Sequence, residues 1–83
     1  MLTPVLDPAE VGALLKGYRL QHGYSQQGAA ERAELDPSYL SLLERGMRKP
    51  TVEVVSRLLN VYGVSWSEFG GRLDELLAPN PPR

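Results

Sequence analysis

An all-α fold, five short helices folded into one compact bundle, is the architecture this sequence predicts. Three observations point to it. Apolar residues recur at helical spacing over most of the chain. Helix-opening pairs, Asp7-Pro8 and Asp36-Pro37, stand just before such stretches. No segment alternates apolar and polar residues as a half-buried strand would. The 83 residues suffice for one core of marginal size, and a chain this short often draws extra stability from a partner.

Each element has its own signals. Asp7-Pro8-Ala9-Glu10 joins an N-cap, a helix-opening proline and a carboxylate that reaches back, with Leu6 and Val11 as a hydrophobic staple. The first helix runs from there to about His22. Val11, Leu15 and Tyr18 give it one buried stripe, and Leu14 and Leu20 lie off that stripe. Ser25 caps a second helix with Ala29, Ala30 and Ala33 inward, which leaves only Glu34 to Asp36 for a turn. Asp36-Pro37 opens the third helix, whose entry angle is set by a staple between Leu35 and Leu40 and whose end is Gly46. Thr51 opens the fourth, with Val55, Leu58, Leu59 and Tyr62 inward and Gly63 as its closing glycine. Ser65-Trp66-Ser67-Glu68 reads as a capping box stapled by Val64 and Phe69, so the fifth helix starts near Trp66. Tyr62, Trp66 and Phe69 read as a core cluster beneath it. Gly70-Gly71 predicts a kink or a break, followed by a last amphipathic turn carrying Leu73, Leu76 and Leu77. The domain is expected to span 1–77, with the motif of two helices and a turn at about 25–45 and a dimerisation segment within 66–77. Residues 78–83, three of them proline, are expected to form a disordered tail.

Composition narrows the chemistry. With no cysteine, neither a disulfide framework nor a thiolate metal site is open to this chain. His22 is the only histidine and stands at a helix end without a second ligand nearby, so a metal or catalytic role has no support. No cofactor is implied, because the glycines are single residues at helix ends rather than a phosphate-cradling loop. The expectation is a non-enzymatic protein. Neither a bilayer-spanning apolar run nor a basic, apolar leader is present, which points to the cytoplasm. The net charge of −1 is unevenly spread: Lys16 to Lys49 holds six basic and four acidic residues, and both flanks are net acidic. The local field can favour phosphate, with modest long-range steering.

Two short helices around a tight turn are the build of a DNA-reading helix-turn-helix. The order Ser25-Gln26, Ala30, Tyr39-Leu40, Leu43-Glu44-Arg45-Gly46 and Pro50 resembles the Cro and phage-repressor type of this motif, found in the XRE-like family of prokaryotic transcriptional regulators. The likeness runs from about Val11 to Phe69. Gly12, Leu15, Arg19 and Gly23 match that family's first helix and its exit; Val55, Leu58, Gly63-Val64-Ser65 and Phe69 match its fourth and fifth helices. Three departures stand out. Ala29 replaces a usual leucine, Gly28 lies inside the second helix, and Glu34 takes a turn position often held by glycine. Glu34 in a left-handed backbone would cost roughly 1 kcal/mol, and Gly28 about as much relative to alanine.

The resemblance implies a five-helix domain of the phage-repressor DNA-binding type and a partner of double-stranded DNA. The third helix, about 37–45, would enter the major groove with Pro37, Ser38, Ser41 and Leu42 outward. The two serines offer single hydrogen bonds, and Pro37 and Leu42 can touch a thymine methyl, so preference leans partly on DNA shape. Tyr39 either donates its hydroxyl to the DNA or packs its ring against the second helix. Gln26 at the start of the second helix is assigned a phosphate by the resemblance, and Arg45, Arg48 and Lys49 cluster where the chain leaves the third helix. Lys16 is a further candidate for the backbone. Arg19 and Glu44 match an ion pair that, in the resembled family, locks the first helix to the third. Leu73, Leu76 and Leu77 are the expected homodimer interface, unless the last helix folds back over the first and covers them. A protein-interaction module of the same shape, such as an antitoxin or co-regulator that binds a second protein, is the alternative function. The acidic net charge favours it.

Overall fold

The computed structural model describes residues 7–77. Among them five helices follow in order: α1 (Pro8–Gln21), α2 (Gln26–Ala33), α3 (Pro37–Glu44), α4 (Val52–Tyr62) and α5 (Trp66–Leu77). No strand occurs among the described residues. The caps act at the positions where the sequence places them. Asp7, Ser25, Asp36 and Thr51 each accept a backbone N–H of the helix they open, at Ala9, Gly28, Ser38 and Val54. Ser65 Oγ accepts the Glu68 N–H at 3.0 Å. Each such bond satisfies a donor that a helix start otherwise leaves open.

One apolar core joins the elements. Leu15 of α1, Ala29 and Ala30 of α2, Leu40 and Leu43 of α3, and Leu58 of α4 are wholly buried in it. α1 packs on α3 and α4, and α2 packs on α3 and α4. The three inward residues of α2 are alanines, so its backbone seats close to its neighbours without a large side chain between. Gly12 takes this further. A Cβ there would stand 2.3 Å from the Leu43 carbonyl oxygen and 2.8 Å from that of Glu44, so α1 meets the last turn of α3 backbone to backbone.

Two expectations change. The Gly70-Gly71 pair does not break α5, which continues through it to Leu77. Each glycine costs roughly 1 kcal/mol in a helix, and the Ser65 cap together with burial of Phe69 offsets that cost. Trp66 is not part of the core: it is 48% exposed and meets Phe69 edge-on, with ring centroids 5.8 Å apart. Phe69, by contrast, is buried. α5 packs against α4 and lines clefts together with α1, and it leaves Leu76 48% exposed. Leu73 is partly buried, Leu14 packs against the core, and Leu20 is exposed. Leu6, the side chain of Leu77 and the segment 78–83 lie outside the described residues.

Candidate nucleic-acid interface

The outer face of α3 is built by what its inner face buries. Leu40 and Leu43 are fixed in the core, and the Asp36 carboxylate accepts the Ser38 N–H at 2.7 Å. With those positions pinned, helical spacing turns Pro37, Ser38, Ser41 and Leu42 outward. Pro37 and Ser38 are exposed, and Ser41 and Leu42 are half-buried. All four line one open concavity of about 450 Å³, together with Gln26 from α2 and Arg45 just beyond α3. Both lie where the helix-turn-helix brings the start of α2 beside α3.

A polar network ties this face to α1. The Arg19 guanidinium grips Glu44 with two bonds, Nε to Oε2 at 2.7 Å and Nη2 to Oε1 at 3.1 Å. Its Nη1 donates to the Tyr24 carbonyl at 2.7 Å. Both charged residues are buried, at 6% and 5% exposure, and every bond is charge-assisted. Gln26 Nε2 then donates to Glu44 Oε1 at 3.0 Å. The network therefore runs from α1 through the end of α3 to the first residue of α2. Nearby, the Tyr62 hydroxyl is buried without a partner, and its pKa is raised above the ordinary phenol value by burial first and by the Glu44 charge second. It stays protonated at any ordinary pH.

The basic residues stand at the exit of α3. Arg45, Arg48 and Lys49 are all exposed. Gly46 between them adopts φ 77°, and a Cβ there would lie 2.6 Å from Ala9 Cα. Only glycine permits that turn against the start of α1, so the basic loop is held to the bundle at its first residue. Lys16 is exposed on α1. Tyr39 is half-buried and packs against the core.

Several features have no signal in the sequence. The bond from Gln26 to Glu44 is one, because a polar contact 18 residues apart leaves no periodic trace. The bond from Arg57 Nη1 of α4 to the Glu34 carbonyl at 3.4 Å is another, whereas its Nη2 binds Glu53 at 2.7 Å one turn away on the same helix. Tyr24 stacks at a tilt on Tyr62, with centroids 6.0 Å apart, and carries Arg32 5.4 Å above its ring. On another side of the bundle an apolar cleft of about 240 Å³ runs between Val11, Val52, Val55, Trp66, Phe69 and Leu73. Val52 is 76% exposed at its edge. Among the described residues no cluster of His, Asp or Glu is placed to hold a metal, and no helix is long and apolar enough to cross a membrane.

Comparison with known proteins matches the same segment. A family model described as helix-turn-helix covers residues 15–69. The HTH-type transcriptional regulator RamB of Mycobacterium tuberculosis is 36% identical over 67 residues, which are 81% of this chain and 14% of that protein. PuuR of Escherichia coli, also an HTH-type transcriptional regulator, is 41% identical over 58 residues, 70% of this chain and 31% of PuuR. The chain thus spans less than a third of either relative. In three dimensions it is similar to the clp gene regulator ClgR from Corynebacterium glutamicum, with a TM-score of 0.80 and 28% identity over 90% of this chain and 79% of that one.

Proposed function

Because the chain belongs to the XRE-like helix-turn-helix family, we propose that it is a sequence-selective, double-stranded DNA-binding transcriptional regulator that inserts α3 into the major groove. The observation that carries this reading is the concavity at the helix-turn-helix. There the outward residues of α3, Pro37, Ser38, Ser41 and Leu42, share one open surface with Gln26 and Arg45. A helix held by its buried face and presenting small polar and apolar groups suits direct contact with base edges. Arg45, Arg48 and Lys49 hold the sugar-phosphate strand where the chain leaves the groove, Lys16 adds a cation from α1, and the free N–H groups at the start of α2, that of Gln26 among them, meet a phosphate. Tyr39, half-buried with its ring packed against the core, donates its hydroxyl to the DNA backbone.

The reading includes a homodimer, with recognition helices about 34 Å apart on successive major-groove faces, formed through Leu73, Leu76 and Leu77 of α5. It also includes action in the cytoplasm without enzymatic chemistry. Regulators are what the names of RamB, PuuR and ClgR describe, which supports this choice. One observation favours a second reading, a module that binds another protein: the apolar cleft with Trp66 and Val52 open to solvent.

Gel-shift titration against random duplex at several salt concentrations tests the proposal. Binding should weaken linearly on a log–log plot. Arg45→Ala combined with Lys49→Ala should flatten the slope by about 0.9 for each phosphate that is no longer neutralised, equally for all sequences. No binding at low salt would transfer the case to the protein-binding module.

A further inference from the structure

We propose that the cavity of about 310 Å³ between α1 and α5, lined by Ala13, Leu14, Gly17, Tyr18, Gln21 and Arg72, binds a small carboxylate with a short apolar tail. It shares no residue with the concavity at α3, so the site is separate from the proposed DNA face. The first sign is the Tyr18 hydroxyl. Tyr18 is 3% exposed, and its hydroxyl has no hydrogen-bond partner among the described residues. An unpaired buried donor forfeits its hydration, and phenylalanine would fill the same space without that loss. Burial first, and the Glu68 charge second, raise the Tyr18 pKa above the ordinary phenol value. The hydroxyl is therefore a donor at neutral pH, and what it lacks is an acceptor.

Gly17 is the second sign. It stands inside α1 without a left-handed backbone, and a Cβ there would meet no atom within 4 Å. Neither conformation nor close packing asks for glycine, in contrast to Gly12, where the added atom would strike α3. Its missing side chain keeps the cavity open, at the usual cost of a glycine in a helix. The lining then decides the ligand. Tyr18, the Gln21 amide and the Arg72 guanidinium can all donate, and no acidic residue lines the cavity. Arg72 is 55% exposed, and its pair with Glu75 is a loose 3.7 Å, so an anion can draw the guanidinium inward and uncover the hydroxyl. Its planar fork matches a carboxylate. Glu68 and Glu75 are exposed, and solvent screens their opposition. Ala13, Leu14 and Gly17 suit a short hydrocarbon tail, for which an inorganic phosphate has no counterpart.

Butyrate is the probe, and the amide NMR signals of the intact protein are followed as butyrate replaces chloride at constant ionic strength. Gly17, Tyr18, Gln21 and Arg72 should shift together and saturate with one dissociation constant. Tyr18→Phe keeps the ring and should weaken binding about tenfold. Gly17→Leu, a good helix former that fills the space, and Arg72→Gln should each abolish it, with circular dichroism unchanged. Shifts that never saturate, or that follow Arg45, Arg48 and Lys49 instead, would mean general anion screening and overturn the site. Equal affinity in Tyr18→Phe and the wild type would overturn it as well, and phosphate binding as tightly as butyrate would overturn the carboxylate. If the same four residues shift on raising the protein concentration without butyrate, a carboxylate of a second copy fills the cavity and the small-molecule site falls. No DNA enters the experiment, so its outcome leaves the reading of α3 untouched.

Discussion

At Glu34 the backbone between α2 and α3 passes through the left-handed region, at φ 60° and ψ 45°, and among the described residues no other non-glycine residue has a positive φ. For a residue with a Cβ this geometry costs about 1–2 kcal/mol. The turn holds because its neighbours fix it: the Glu34 N–H closes onto the Glu31 carbonyl at 3.2 Å, Leu35 bonds back to Ala30 at 2.8 Å, and Arg57 reaches the Glu34 carbonyl. Glu34→Gly relieves the strain but frees the unfolded chain, which returns about 0.4–1 kcal/mol. The net expectation is a gain of roughly 0.5–1 kcal/mol in stability, read from the midpoint of urea unfolding. A lower midpoint would mean that the exposed glutamate side chain contributes more than its backbone costs. Arg19 and Glu44 lie at the other energetic extreme. Removing either would strand a buried charge, which costs about 3–5 kcal/mol.

The helices show which signals a sequence carries well. Asp36-Pro37 and the Ser25 cap mark local hydrogen bonds within a few residues of themselves, so α2, α3 and the turn between them could be read directly. Leu15, Leu58 and the alanines of α2 announced their burial by spacing alone. Trp66 misled because size and helical position suggest a core residue, whereas its exposure depends on which element lies opposite, and nothing local encodes that. The bonds of Gln26 to Glu44 and of Arg57 to the Glu34 carbonyl were illegible for the same reason: they join distant segments and need the packed bundle to exist. α5 failed differently. Local propensity at Gly70-Gly71 argued for a break, and packing of Phe69 and Leu73 overrode it. A Cβ at either glycine would meet no atom within 4 Å. Gly70→Ala with Gly71→Ala should therefore raise stability by about 1–2 kcal/mol and increase helical circular dichroism. An unchanged midpoint would show that α5 frays in solution and contributes little to the fold.

At the scale of the molecule, a single small core leaves an apolar surface unused. Leu76 stands half exposed on α5, three residues beyond Leu73, which lines the cleft between α1, α4 and α5 together with Val52 and Trp66. Exposed apolar residues of this kind on so small a chain fit an interface. Replacing the exposed Leu76 by Lys should convert a dimer into a folded monomer with much weaker operator binding, whereas adding Leu73→Lys, at a residue packed against the core, should also destabilise α5, as sedimentation and circular dichroism can show together. A wild type that stays monomeric at high micromolar concentration, both free and on DNA, would remove α5 from that role. Trp66 is the chain's only tryptophan, and it stands in this cleft, whereas the concavity at α3 is lined by none of the same residues. Its intrinsic fluorescence thus needs no label to report on the cleft alone: water at the half-open indole shifts the emission to longer wavelength, and whatever seats itself there shifts it back. One optical signal from one native residue separates self-association from DNA binding in the same cuvette.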